Sequence, residues 1–182
     1  KSPIPLLIIG GKSGIGKTSL IDYLLNYFPN SFEQPLSYTS REKRNNKDRY
    51  IFSSKEEMIT MNAKGKFINF DEVYGEYYGI LKGTVSEVKH SGKIPIKEIH
   101  PDNFWKFRKK ELNTICVLIE NKHLSKNSTS FVKRDGREYE DLSFEDRDDY
   151  DIKMNISSLT IEESANYLLK KILAYRIHTK SY

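Results

Sequence analysis

An α/β fold with a mainly parallel central sheet is the architecture this sequence predicts, and three observations predict it. Pro5-Leu6-Leu7-Ile8-Ile9 is a short apolar run suited to a strand buried on both faces. Gly11-Lys12-Ser13-Gly14-Ile15-Gly16-Lys17-Thr18 follows at once and fits the eight-position phosphate-binding pattern. Beyond this loop, apolar strands alternate with amphipathic helices and no internal repeat is found, a pattern of βα units.

The elements follow in order. Thr18 to Phe28 reads as the helix after the loop. Ser54-Lys55-Glu56-Glu57 is a capping box that opens a helix ending near Gly65, and Phe67 to Phe70 then reads as a short strand. Thr84 to Ser91 is a short helix stopped by Gly92. Ile94 to Ile99 is a weak strand because Pro95 has no N–H to donate, and Pro101 to Lys110 reads as helical. Thr114 to Glu120 is the clearest later strand. It holds the lone cysteine, Cys116, which is expected to be a buried thiol with no disulfide partner.

Asn121 to Ser130 is rich in Ser and Asn and reads as a surface loop, and the dense charge of Lys133 to Asp149 excludes a packed core strand. Tyr150 to Ile156 is the last strand. Thr160-Ile161-Glu162-Glu163 caps a closing helix with Leu168, Leu169, Ile172 and Leu173 on its apolar side.

A length of 182 residues fits one domain with a real core, and 37% hydrophobic against 30% charged residues excludes a disordered chain. No apolar run approaches a membrane span, and the first residues lack the regions of a secretory signal, so no membrane partner is expected. With a single cysteine, the expected location is the cytoplasm. The formal charge is +5, yet basic and acidic residues are interspersed and no sustained basic block occurs. That argues against nucleic acid and leaves small phosphorylated ligands as the partners of a positive cleft.

The chemistry begins at the loop. Its glycines let backbone N–H groups turn inward around an anion at the positive end of the following helix. Lys17 can then reach the β and γ phosphates of a nucleoside triphosphate, and the Thr18 hydroxyl can ligate Mg²⁺. A second constellation comes after the helix: Ser37-Tyr38-Thr39-Ser40-Arg41-Glu42-Lys43-Arg44, then Tyr50-Ile51-Phe52-Ser53-Ser54-Lys55-Glu56-Glu57. Guanidinium groups, hydroxyls and a phenol in so short a span suit a phosphate monoester. Gly65-Lys66-Phe67 and Gly75-Glu76-Tyr77-Tyr78-Gly79 follow, the latter read as a turn presenting a second phenol.

In this order the motifs resemble the guanylate kinase family: the phosphate loop, Ser-x-Thr-x-Arg-x-x-Arg, Tyr-x-Phe-x-Ser-x-Glu-Glu, Gly-x-Phe and Gly-x-x-Tyr-Gly. The resemblance runs from about Ile8 to Gly92 and Lys93, fades, and returns near Asn155. It implies a P-loop NTPase-like three-layer fold in one domain, residues 1–182. The core would be 1–36, 82–120 and 150–182, a small acceptor-binding insertion 37–81, and a short lid 121–149. It implies a nucleoside monophosphate kinase with ATP as donor and Mg²⁺ as cofactor.

The family roles map residue by residue. Ser13, Gly14, Ile15, Gly16, Lys17, Thr18 and Ser19 would hold ATP, with Asn155 near the adenine and Thr18 on Mg²⁺. Ser37, Arg41, Arg44, Tyr50 and Tyr78 would hold the acceptor phosphate, with Asn69 and Glu98 on the acceptor's other contacts and Glu98 also favoured beside Mg²⁺. Lys17 and the lid residues Arg134, Arg137 and Arg147 would neutralise the transferring group.

The chain also departs from the family. Asn69 stands where a Glu usually reads guanine, Ile80 where a Ser or Thr contacts the base, and Ile96-Lys97-Glu98-Ile99-His100 where the pattern is Ile-x-Asp-x-Asp. An amide is a poor two-point acceptor for the N1–H and 2-amino groups of guanine, so the acceptor expected is a monophosphate other than GMP. Two alternatives stand beside it: a P-loop kinase acting on a phosphorylated sugar, and a non-catalytic guanylate-kinase-like binding module. Such modules generally carry degraded phosphate loops, whereas Gly16, Lys17 and Thr18 are intact here.

Overall fold

The computed structural model describes residues 4–12, 14–43, 50–110, 113–121 and 148–178, and the main chain of 132–134 and 137–139. Strand β1 (Leu6–Gly11) is buried along its whole length, which is what an uninterrupted apolar run requires of a central strand. It pairs in parallel with β7 (Ile94–Glu98) on one side and β8 (Thr114–Glu120) on the other. The outer strands β2 (Phe32–Glu33) and β11 (Ile152–Asn155) are also parallel to their neighbours, giving the order β11-β8-β1-β7-β2.

Alternate residues of β1 face two cores. Leu7 and Ile9 pack with Leu20, Ile21 and Leu24 of α1 (Lys17–Tyr27) and with Ala165, Leu168 and Ile172 of α5 (Ile161–His178). Leu6 and Ile8 pack with Val85 of α3 (Lys82–His90) and with Phe104 and Phe107 of α4 (Phe104–Lys110). Helices therefore cover both sides of the sheet in three layers, and truncating Leu7 or Ile8 to Ala would cost about 2–5 kcal/mol. Leu173, expected on the apolar side of α5, is instead 61% exposed. It lies a further 100° around the helix from buried Ile172, and the buried stripe has passed it.

Pro95 does not weaken β7 as expected. On the β1 side the ladder begins at Leu7↔Ile96, past the missing donor, while on the other side Pro95 is still the register partner of Glu33 in β2. The predicted helix at Pro101 opens with a 3-10 turn over Pro101–Asn103 before α4 begins. Among the described residues no helix is long and apolar enough to cross a membrane.

A second sheet carries β3 (Ser37–Thr39), β4 (Tyr50–Phe52), β5 (Phe67–Val73) and β6 (Glu76–Leu81) in the order β4-β3-β6-β5. Helix α2 (Lys55–Ala63) lies between β4 and β5 and opens on Ser54, whose Oγ accepts from the Glu57 amide at 3.1 Å. Ile68 and Ile80 of this sheet join the core of Leu6 and Ile8, so the two sheets share one apolar cluster.

The Gly75 to Gly79 stretch, read above as a turn, is mostly strand. The reversal sits at Tyr74 and Gly75, both at positive φ (55° and 77°), the backbone of a tight hairpin. Gly79 lies within β6 because a Cβ there would fall 2.6 Å from Cδ1 of Phe67 on the paired strand.

Strands β9 (Val132–Arg134) and β10 (Arg137–Tyr139) pair with each other, antiparallel, outside both larger sheets. Just before β11, the Asp151 carboxylate accepts from the Cys116 amide at 2.7 Å, the Tyr175 hydroxyl at 2.8 Å and Arg108 at 2.9 Å, tying α4, β8 and α5 together. Burial pushes the Cys116 thiol up to about 11, so it stays protonated and inert.

Candidate active site

The phosphate loop leaves the carboxyl end of β1, with Gly14 at φ 77° and Gly16 at φ 105°, conformations that favour glycine. Helix α1 starts directly after Gly16, and no side chain caps it. Its first-turn N–H groups and the positive end of its dipole therefore converge on the loop, a donor set that suits phosphate oxygens.

Lys17 is buried, and its Nζ donates to the Lys12 carbonyl at 2.5 Å. Its second neighbour is Glu98, whose Oε1 lies 3.5 Å away. The other carboxylate oxygen of Glu98 accepts from the Thr18 hydroxyl at 2.9 Å. Register explains the meeting: Glu98 is the partner of Ile9 and closes β7 at the level where β1 enters the loop. Thr18 and Glu98 thus place a hydroxyl and a carboxylate oxygen side by side, the hard-oxygen chemistry that Mg²⁺ prefers.

Asn155 ends β11 opposite Glu120, and its Oδ1 accepts from the Ser157 amide at 3.1 Å in an Asx turn. The next residue, Ile156, brings Cδ1 to 3.6 Å from where a Cβ on Gly16 would sit, so this turn packs against the loop.

The acceptor residues gather on the second sheet. Ser37 is the register partner of Tyr50, and Thr39 that of Tyr78. The Tyr50 and Tyr78 rings meet edge to face at 6.0 Å, and the Arg41 guanidinium lies 5.1 Å above the Tyr50 ring. Two phenols, a hydroxyl and a guanidinium expected from well-separated motifs are therefore neighbours. Ser40 and Glu76, which sequence reasoning did not single out, brace them. Ser40 donates to the Glu76 carboxylate and accepts from the Tyr77 amide at 2.8 Å, and the Ser40 hydrogen bond holds the Glu76 carboxyl below its usual range.

Asn69 is buried, and both ends of its amide are engaged. Its Oδ1 accepts from the Ile80 amide at 3.2 Å, and its Nδ2 donates to Asp71 at 3.0 Å. The other Asp71 oxygen pairs with Lys106 of α4 at 2.5 Å. Ile80 is buried, and His100 turns its Nδ1 to within 3.3 Å of the Asp102 carboxylate. Asp71 and Lys106 were missed in the sequence because β5 was read as ending at Phe70. A longer strand puts residues 69 and 71 on one face.

Ser13, Arg44 and Arg147 lie outside the described residues. Of the other two lid candidates, Arg134 and Arg137 are main-chain register partners in the β9–β10 pair.

The family model described as guanylate kinase matches residues 4–163. A guanylate kinase of Chlamydia felis is 32% identical over 117 residues, 63% of this chain and 57% of its own length. Guanylate kinase 1 of Arabidopsis thaliana is 33% identical over 116 residues, 62% of this chain and 30% of its own. A Mycoplasma pneumoniae guanylate kinase is 28% identical over 62% of this chain and 48% of its own length. The matched stretch thus spans about half, or less, of these relatives. The crystal structure of guanylate kinase from Anaplasma phagocytophilum shares the fold with a TM-score of 0.64 at 20% identity, covering 96% of this chain and 87% of that one.

Proposed function

Because the chain belongs to the guanylate kinase family, we propose that it transfers the γ-phosphoryl group of ATP to a nucleoside 5′-monophosphate. The observation that carries this reading is Glu98, in contact with both Thr18 and Lys17 at the mouth of the loop. The loop amides and the α1 N-terminus bind the donor phosphates, and Lys17 holds its charge against the β and γ oxygens by exchanging the Lys12 carbonyl for them. Thr18, with Glu98 beside it, would hold Mg²⁺, which would supply charge neutralisation to the donor phosphates.

Ser37, Arg41, Tyr50 and Tyr78 fix the acceptor phosphate. Their task is positioning, which suffices for phosphoryl transfer because the reaction needs no protein nucleophile.

The acceptor base is not selected by a guanine-type edge. Asn69 commits its oxygen to the Ile80 amide, Ile80 has no side-chain donor, and His100 faces Asp102. The 2-amino group of guanine therefore has no dedicated acceptor among these three positions. A phosphotransfer panel with ATP and Mg²⁺ over ribo- and deoxynucleoside monophosphates, with ribose phosphates included, tests both statements. Transfer to at least one nucleotide other than GMP, lost in Lys17→Ala, is expected. Efficient transfer confined to GMP would overturn the acceptor reading, and transfer that survives Lys17→Ala would overturn the donor site.

A further inference from the structure

A cavity of about 690 Å³ opens where the second sheet joins the core, and none of the phosphate-loop residues lines it. Its walls come from both units: Leu25 and Phe32 from the core, Tyr50 from the second sheet, and Leu36 from the link between β2 and β3. Lys97 of β7 reaches into it. Its Nζ donates to the Pro35 carbonyl at 3.1 Å, and no carboxylate pairs with it among the described residues.

A lysine stem is long enough to carry its ammonium out to water, and on a surface it does so. Here the side chain is only partly exposed with its head held at the Pro35 carbonyl, and burial pulls it down to about 8. Holding a cation in this place is a standing cost that an aliphatic residue would avoid, and a ligand of opposite charge would offset it.

We propose that this cavity binds a small organic monoanion, a carboxylate carried on an apolar body, with Lys97 as its charge partner. The lining decides the class. Lys93 is already paired with Glu33 at 2.9 Å, which leaves Lys97 as the one uncompensated charge in the wall. A dianion would meet the Glu33 carboxylate with only one free cation to balance it. Leu25, Phe32 and Leu36 offer apolar surface to the rest of the molecule. The cavity shares Tyr50 with the acceptor-phosphate residues, while its charge partner Lys97 takes no part in the phosphotransfer reading.

Benzoate is the probe, with inorganic phosphate at equal ionic strength as comparator. Binding is followed on the full chain by saturation-transfer NMR of benzoate and by the ¹³Cε resonance of Lys97. Benzoate is expected to bind saturably and to raise the Lys97 titration midpoint by about one unit, equivalent to tenfold preference for the protonated form. Lys97→Gln, which keeps a donor toward Pro35 without the charge, is expected to lose binding. Leu36→Trp, which fills the cavity from a half-exposed position, is expected to lose it with Lys97 in place and decides the matter where Lys97→Gln does not fold. Benzoate without effect on Lys97, equal effects from phosphate, or binding unchanged in Leu36→Trp would each overturn the proposal.

Discussion

The Thr18 hydroxyl donates to Glu98 at 2.9 Å, although the two residues are 80 apart in the chain. The pair joins the first turn of α1 to the end of β7, the strand that follows α3 in the chain. Glu98→Gln keeps the size and a hydrogen bond to Thr18 but removes the negative charge. Steady-state kinetics are expected to show kcat reduced roughly 10²-fold with a smaller change in the KM for ATP, and a higher Mg²⁺ requirement. An unchanged Mg²⁺ dependence would remove Glu98 from the metal side of the site.

Asn69 is expected to matter for stability and little for the acceptor. In Asn69→Ala the buried Ile80 amide loses its acceptor, at a cost of about 1–3 kcal/mol. Urea unfolding measures that loss, while the KM for each accepted monophosphate should stay within about threefold, well under 1 kcal/mol. A large KM change without loss of stability would mean that the amide reads the base after all.

Asp151 anchors three elements. Removing it in Asp151→Ala strands Arg108, the Tyr175 hydroxyl and the Cys116 amide, and unfolding should show a loss of about 3 kcal/mol or more. Asp151 also helps push the Tyr175 hydroxyl up to about 12, after the larger effect of burial. The phenol of the variant should therefore titrate closer to 10, readable by ultraviolet absorbance.

Lys97 gives stability a pH dependence of defined sign. Its folded value of about 8 lies below the ordinary 10.5, so across that window the unfolded chain binds more protons and stability rises with pH. Below the window the cost of burying the cation is fully present. Lys97→Met should thus be more stable than the parent at pH 7, by up to roughly 3 kcal/mol, with the difference fading toward about pH 11. Thermal denaturation across that range checks it, and a pH-independent difference would mean that Lys97 is solvated.

Legibility in the sequence followed the range of the cause. The loop, β1, β8 and the capped starts of α2 and α5 were readable because each depends on neighbours a few residues away. At Thr160, the Glu163 carboxylate and amide return both hydrogen bonds of the capping box. β5 was cut short at Phe70 because Asp71 and Glu72 are polar, yet an edge strand tolerates them. β6 was hidden by Gly79, whose presence answers to Phe67 on the opposite strand. In the site, Lys17 and Thr18 follow from spacing, while the engagement of Asn69 with Ile80 and the Asp71–Lys106 pair arise only once strands and helix have met.

The Thr84 hydroxyl lies within hydrogen-bond distance of the carbonyls of both Leu36 and Leu81, at 3.4 and 3.0 Å, so the strand entering the second sheet and the one leaving it pass side by side. A plate suspended from two adjacent ribbons swings about a single axis and resists twisting. The Asp71–Lys106 pair is a separate tie between this plate and the core, away from the two ribbons in sequence. The hold of the core on this sheet is thus shared between two lysines of one short helix, Lys106 on Asp71 and Lys110 on the Phe67 carbonyl, and the apolar cluster beneath them.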